Sequence, residues 1–355
     1  MKWTAVCVVL LFLVPPAAAE PWFAIKTGQK CVACHVSPTG GGKRTTFGAM
    51  WAQTALSGKT AQQFWDGTVT DRLSLGANAR ANASWVNIPD QASDRFAFET
   101  EEVLLYGKLN LVPGKMFLYF DERIAPGGAS SREAYLFYWL NENRSYVRVG
   151  RLFLPFGWRL EDDTAFIRQV PGINYNTPDD GLEFGIERDN WSGQLAITNG
   201  TAGAGEADTG KQFSGRVSFI KNRWRAGVSA NVNDAAGGSR TMYGAFAGVR
   251  TGPVHWLFEY DRIEDQGFSP GRDLDVGLIE GNWEFAKGFN LKGSYEHFDP
   301  DADISNDDQS RASLVLEWFP IQFTQLSFGL RSRDGIPQSA LQNTEEFFVQ
   351  LHGYF

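Results

Sequence analysis

Two cysteines and a histidine lie close together near the N-terminus, in the order Cys31-Val32-Ala33-Cys34-His35. This C-x-x-C-H arrangement is typical of covalent c-type haem attachment, because thiols at this spacing can each add to one haem vinyl group. The adjacent imidazole then falls beneath the iron as the proximal ligand. A disulfide and half of a zinc site are the alternatives, although the chain has no second cysteine pair to complete a zinc site. We therefore predict one covalent haem c, held by Cys31, Cys34 and His35.

Residues 1–19 have the order of a secretory signal. Lys2 precedes an apolar run from Ala5 to Val14, and two prolines and three alanines follow it. We predict that this signal directs the chain to a compartment where c-type haem is attached. We predict cleavage after Ala19, which would also remove Cys7. No later stretch supplies the roughly 20 apolar residues that a membrane-spanning helix needs.

The composition narrows the class of protein further. The 355 residues carry a formal charge of -8 and include 38 Gly, 27 Phe and 12 Trp, with a pI near 5.2 and a mean hydropathy of -0.28. Such a chain lacks the net positive charge that attracts the phosphates of a nucleic-acid backbone. We therefore expect no nucleic-acid partner.

From Arg72 onward the sequence repeats with a period of two. Between Arg72 and Val86 the odd positions are apolar and most even positions are polar, which is the pattern of a strand with two different faces. Similar runs predict strands near 72–86, 98–111, 116–123, 133–140, 145–155, 181–188, 191–199, 212–220, 223–232, 241–250, 253–262, 274–284, 288–297, 310–319, 322–331 and 345–355. We predict an all-β fold, an antiparallel outer-membrane β-barrel of about 16 strands over residues 72–355.

The predicted connections alternate between tight turns and long loops. In bacterial barrels the turns face the periplasm and the loops face outward, so we expect the turns and both termini to be periplasmic. Tryptophans at the turn ends of strands, Trp139, Trp256, Trp283 and Trp318, fit an interfacial girdle. The acidic residues Glu161-Asp162-Asp163 and the acidic stretch 299–308 then belong to outer loops, which are either solvated or a divalent-cation surface.

Residues 20–71 form a haem arm of about 52 residues, too few for an independent core. We expect this arm to depend on the barrel for support and to plug its lumen. Gly40, Gly41 and Gly42 permit close approach of the backbone, and Lys43 and Arg44 either pair with the haem propionates or lie in a solvated loop.

Several of these segments resemble a known family. Phe23-Ala24-Ile25-Lys26-Thr27-Gly28, the C-x-x-C-H motif and Phe47-Gly48, ahead of a porin-like barrel, resemble the fused monohaem cytochrome-porins of the bacterial outer membrane, the group that contains the outer-membrane iron oxidases. Gly150 to Gly157 is similar to a strand-to-loop segment of phosphate-selective-type porins. The resemblance implies electron transfer across the outer membrane, from an extracellular donor such as Fe(II) to a periplasmic c-type cytochrome or another carrier.

The sixth iron ligand has three candidates. Met50 lies in the arm, in a stretch over 48–65 that can form a short helix returning over the haem. The rivals are His255 and His352, which strand parity points into the lumen. We choose Met50, because ligation by methionine raises the reduction potential toward that needed by a weak outside reductant.

Two functions remain open from the sequence. The first is a redox conduit that carries electrons through one haem. If its donor is extracellular Fe(II), the protein would be an Fe(II) oxidase. The second is a diffusion porin for small solutes, in which the haem arm is a plug or a sensor.

Overall fold

The computed structural model describes residues 20–60, 62–91, 93–206, 208–235, 237–267 and 271–355. The predicted signal, residues 1–19 with Cys7, lies outside this part of the chain. Three short helices come first: α1 Trp22–Thr27, α2 Cys31–Cys34 and α3 Thr46–Trp51, which continues as a π-helical turn over Ala52–Leu56. None of the helices in the described ranges is long and apolar enough to cross a membrane.

Sixteen strands follow, in agreement with the predicted number. They are β1 Leu73–Asn87, β2 Arg95–Val112, β3 Met116–Ala125, β4 Ser130–Leu140, β5 Ser145–Leu152, β6 Asp179–Glu187, β7 Trp191–Thr198, β8 Gln212–Lys221, β9 Trp224–Ala235, β10 Gly238–Thr251, β11 Val254–Asp265, β12 Arg272–Ala286, β13 Phe289–Asp299, β14 Gln309–Trp318, β15 Thr324–Asp334 and β16 Glu345–Tyr354. Each strand pairs antiparallel with its sequence neighbour, and β1 pairs with β16, where Ala81 lies opposite Leu351. The sheet is therefore a closed barrel without edges.

Along much of the barrel wall, polar side chains point inward and apolar side chains point outward. On β1, Asn78 and Arg80 are buried, whereas Trp85 on the other face is exposed. The last strand repeats the pattern, with Phe347 and Leu351 outside and His352 inside. An apolar outer face is the arrangement of a barrel that contacts lipid, because the bilayer surrounds the fold.

The connections differ in length at the two ends of the barrel. One end has short turns, such as 222–223, 252–253 and 287–288, and we name it the turn end. The opposite end, the loop end, carries longer connections that include 199–211, 300–308 and 335–344.

One long connection departs from the prediction of an outer loop. Strand β5 ends at Leu152 rather than at 155, and residues 153–178, which include α4 Phe166–Gln169, fold into the barrel. Trp158 is 1% exposed, its backbone N–H donates to Glu259 Oε2 at 2.6 Å and its Nε1–H donates to the Phe258 carbonyl at 3.0 Å. We call residues 153–178 the inner segment. Glu161, Asp162 and Asp163 thus line the lumen instead of an outer surface.

The predicted tryptophan girdle needs one correction. Trp256, Trp283 and Trp318 lie on the outward face of their strands near the turn end. Trp139 instead packs inside the barrel against Phe137 and Tyr146, with ring centroids 4.9 and 5.5 Å apart.

The N-terminal segment, residues 20–71, packs against inward-facing side chains near the turn end. Lys26 Nζ lies 2.6 Å from Glu284 Oε2 on β12, and Lys30 Nζ lies 2.7 Å from Glu187 Oε2 on β6. Leu56 packs in a small cluster with Phe319 and Tyr354. These contacts fix the position of the C-x-x-C-H motif relative to the barrel wall.

Candidate functional site

The motif forms a single helical turn inside the barrel. Cys31 and Cys34 are the first and last residues of α2, and the His35 N–H donates to the Cys31 carbonyl at 2.8 Å. Both thiols are half-buried and free, not joined in a disulfide. The turn therefore presents two thiols and an imidazole from one short segment.

Helix α3 holds this turn in place from behind. The Thr45 N–H donates to the Cys34 carbonyl at 2.9 Å, and the Thr45 hydroxyl donates to the Ala33 carbonyl at 2.6 Å. A Cβ at Gly48 would lie 2.2 Å from the Cys34 carbonyl oxygen. Only glycine therefore lets α3 approach α2 this closely.

A cavity of about 700 Å³ opens beside the motif. Cys31, Cys34 and His35 all line it, together with Gly40 and Gly41, whose positive φ angles of 90° and 76° suit glycine. Other parts of the fold contribute Phe23, Trp51, Trp158, Arg159, Arg216 and Arg225 to its wall.

The charges around the cavity favour a neutral imidazole. Burial, together with the Arg44 charge, lowers the pKa of His35 to about 3. The unprotonated ring is the form that binds a metal, and His35 Nδ1 is buried without a hydrogen-bond partner among the described residues. Burial and the neighbouring Cys31 raise the pKa of Cys34 to about 11. For Cys31, burial acts in the same direction, but Arg225 and Arg216 outweigh it and lower the pKa.

Lys43 and Arg44 are both buried, so they do not form the solvated loop that was the alternative. Arg44 lines the cavity, and its guanidinium lies 4.2 Å from the centre of the Tyr354 ring. Lys43 does not line the cavity, and its Nζ donates to the Asp66 carbonyl at 3.0 Å. The structure thus leaves Arg44 as the cavity-facing residue of the two.

The structure does not bring the three candidate sixth ligands to the cavity. Met50 is 46% exposed on α3 and is not among the lining residues. His255 points inward, as parity predicts, and its ring lies 5.3 Å from that of Trp22. His352 also points inward, where its Nδ1 lies 2.6 Å from Gln325 Oε1 and 3.1 Å from Glu161 Oε1. The Met50 assignment stays a prediction.

Sequence reasoning missed the three arginines of the cavity wall. Arg216 and Arg225 occupy inward positions on β8 and β9, and Arg159 belongs to the inner segment. Alternation in the sequence could have placed Arg216 and Arg225 on the polar face. Their approach to Cys31 is a long-range contact that no local pattern encodes.

Comparison with known proteins supports the barrel alone. No protein-family model matches the chain, and no curated protein matches it. An anion-selective porin from Comamonas acidovorans is similar in structure, with a TM-score of 0.62 and 13% identity, and the match covers 80% of this chain and 99% of that one. OprB from Pseudomonas putida gives a TM-score of 0.63 at 9% identity, with 80% and 94% of the two chains covered. OmpT from Vibrio cholerae gives 0.61 at 12% identity, with 82% and 100% covered.

The fold is therefore a closed 16-stranded antiparallel barrel of the kind found in outer-membrane porins. The likeness and the apolar outer face together support an outer-membrane location with lipid contact.

Proposed function

We propose that this chain is a porin-type barrel that binds one haem c beside α2 and transfers electrons across the outer membrane. The observation that carries the proposal is the cavity of about 700 Å³ that both thiols of the C-x-x-C-H motif and the adjacent imidazole line together. When bound there, the haem would supply a one-electron redox centre inside the barrel.

The side chains around the cavity suit this group. Cys31 and Cys34 would form the two thioether links, and His35, neutral and with an unpartnered Nδ1, would bind the iron. The propionates need cationic partners, since buried carboxylates are stable only when they are paired. The candidates line the same cavity: Arg44 from the arm, Arg159 from the inner segment, and Arg216 and Arg225 from the barrel wall.

The position of the cavity inside the barrel supports electron transfer through a single haem. A hydrophobic band about 25 Å tall separates the two sides of such a barrel, so a single redox centre must lie within the lumen to be reached from both sides. Phe47 and Met50 are exposed on α3, the helix that borders the cavity through Gly48 and Trp51. This exposed side of α3 would receive a soluble periplasmic carrier, with the turn end facing the periplasm.

The attachment is tested by the double variant Cys31→Ala/Cys34→Ala. Haem staining of a denaturing gel should show a band for the wild-type chain and none for the variant. The barrel should still change its gel mobility on heating, because its strands satisfy their hydrogen bonds without the haem. A haem-stained band in the variant would show that the attachment assignment is wrong.

Electron transfer is tested in sealed liposomes that contain oxidised cytochrome c. Fe(II) or another donor added outside should reduce the internal cytochrome when the wild-type chain is present. The Cys31→Ala/Cys34→Ala barrel is the matched control, because a donor that simply diffused through the lumen would reduce the cytochrome in that variant too. Equal rates in the two samples would refute the electron-transfer proposal.

A diffusion channel is the second candidate, and the porin-type fold favours it. In that case residues 20–71 would act as a plug or a sensor within the lumen. Planar-bilayer recording of the full chain should then show a conductance that rises in proportion to salt concentration. A barrel that conducts no ions at any applied voltage would argue against this candidate.

A further inference from the structure

A second and larger cavity lies in the lumen toward the loop end. Its volume is about 1220 Å³, and it lies between Leu160–Thr164 of the inner segment and the inward faces of β12 to β16, β1 and β2. It is separate from the cavity beside the C-x-x-C-H motif, although Glu20 lines both. Neither proposed function accounts for its composition.

Acidic side chains outnumber basic ones in the walls of this second cavity. Ten carboxylate side chains and four basic side chains line it, a formal excess of six negative charges. Cleavage after Ala19 would add at most one positive charge, the new amino group of Glu20. A cavity whose side chains have a net charge attracts ions of the opposite charge.

The four basic side chains are already engaged. Arg311 and Arg331 both lie 2.9 Å from Asp162 Oδ2, and Lys292 contacts Glu20 and lies 3.1 Å from Glu317 Oε1. Arg80 lies 3.1 Å from Glu161 Oε1. These ion pairs connect neighbouring walls of the cavity. Other carboxylates that line it, among them Glu99, Asp163 and Glu280, have no ion pair in the described part of the chain.

Among the carboxylates that line the second cavity, two buried ones have an oxygen that no described residue satisfies. Glu161 is 7% exposed and Glu20 is 5% exposed, and Oε2 of each lacks a hydrogen-bond partner among the described residues. Buried carboxylate oxygens are rarely left unsatisfied, because the desolvation cost is then not recovered. Both side chains line the second cavity, so an occupant of that cavity could satisfy them.

We propose that the second cavity binds a hydrated divalent cation, with Glu161 and Glu20 among its ligands. Carboxylate oxygens are hard donors, which suit ions such as Mn²⁺, Mg²⁺ or Ca²⁺. The volume leaves room for the water molecules that complete the shell of such an ion. Because Glu20 lines both cavities, the bound cation would lie next to the first cavity, but the proposal requires no haem there.

A competing cation site lies outside the cavity. Ligand oxygens of Asp299, at the end of β13, and of Asp307 and Asp308, in the following loop, fall within 4.8 Å of one another. This cluster is partly exposed, and exposed acidic groups are common without a bound ion. The experiment must therefore separate the loop from the cavity.

The test is a Mn²⁺ titration of the purified chain in a detergent without phosphate groups. Electron paramagnetic resonance measures the free and bound Mn²⁺ at each step. The wild-type chain should bind Mn²⁺ saturably. Glu161→Gln and Glu20→Gln should each weaken binding by about tenfold or more, since each removes a charged ligand. Asp308→Asn, the matched control, should leave the cavity affinity unchanged. Heat-modified gel mobility confirms that each variant has formed a barrel.

Weaker binding in either glutamate variant, with binding retained in Asp308→Asn, supports the proposal. The proposal is overturned if the wild-type chain binds no Mn²⁺ saturably, or if both glutamate variants bind as the wild type does. Loss of all binding in Asp308→Asn would also overturn it, because the ion would then belong to the loop.

Discussion

Arg225 lies 3.6 Å from Cys31 Sγ, measured from its Nη1 atom, and its second terminal nitrogen donates to Ser218 Oγ at 3.1 Å. At the scale of single residues, this contact links the barrel wall to the motif that arrives from the N-terminal segment. A guanidinium keeps its charge at any ordinary pH. Arg225 therefore places a guanidinium beside Cys31 and the proposed haem.

Replacing this charge should change the redox potential of the bound haem. The reduced haem carries one positive charge less than the oxidised form, so a nearby cation stabilises the reduced form. Arg225→Gln should lower the midpoint potential by on the order of tens of millivolts, as measured by spectroelectrochemistry. Arg223→Gln, an exposed position two residues earlier, should leave the potential unchanged. Equal potentials in the two variants would show that Arg225 does not act on the haem.

At the scale of elements, the inner segment fills part of the lumen because of bonds formed where β5 ends. Arg148 on β5 contacts Glu133 and Glu183 on the two neighbouring strands at 2.9 and 2.7 Å, and it donates to the Phe153 carbonyl at 3.0 Å. The Phe153 N–H donates to Glu133 Oε1 at 3.2 Å. These bonds replace strand pairing at Phe153, so the chain leaves β5 there and turns inward.

The position of the inner segment predicts a pattern of chemical labelling. Ile167 lies on α4 and is 1% exposed. A cysteine at this position, in Ile167→Cys, should react with a bulky maleimide at least roughly a hundredfold more slowly than the exposed control Asp303→Cys, because local opening of a buried element limits access. Mass spectrometry of the folded barrel measures both rates. Similar rates would place the segment outside the lumen.

At the scale of the whole molecule, the barrel and the N-terminal segment are held together by ion pairs. Lys26 and Lys30 bond to Glu284 and Glu187 on opposite parts of the wall, and all four side chains are 21% exposed or less. Removing one partner of such a pair leaves the other charge partly buried and unpaired, which costs roughly 1 kcal/mol per pair. The two pairs would keep residues 20–71 at the turn end.

Removing both pairs tests whether the N-terminal segment obstructs the lumen. The double variant Lys26→Gln/Lys30→Gln should weaken docking by roughly 2 kcal/mol and raise the ionic conductance in planar bilayers, because the segment would leave the lumen more often. Lys221→Gln, on the exposed outer side of β8, is the control and should conduct as the wild type does. An unchanged conductance in the double variant would show that these pairs do not control passage.

The sequence by itself determined the barrel, because alternation is local and each strand shows its two faces in its own residues. The sixteen strands and the inward positions of His255 and His352 follow from parity alone. The C-x-x-C-H motif was equally readable, since its spacing is a property of five consecutive residues.

Only the tertiary structure decided which side chains meet inside the lumen. Glu161 belongs to a segment with the composition of an outer loop, yet it folds inward because Glu133, Arg148 and Glu259 capture the backbone around it. The contact between Arg225 and Cys31 spans 194 residues. Such contacts depend on barrel closure and strand register, which bring distant residues together, and no local pattern carries that information.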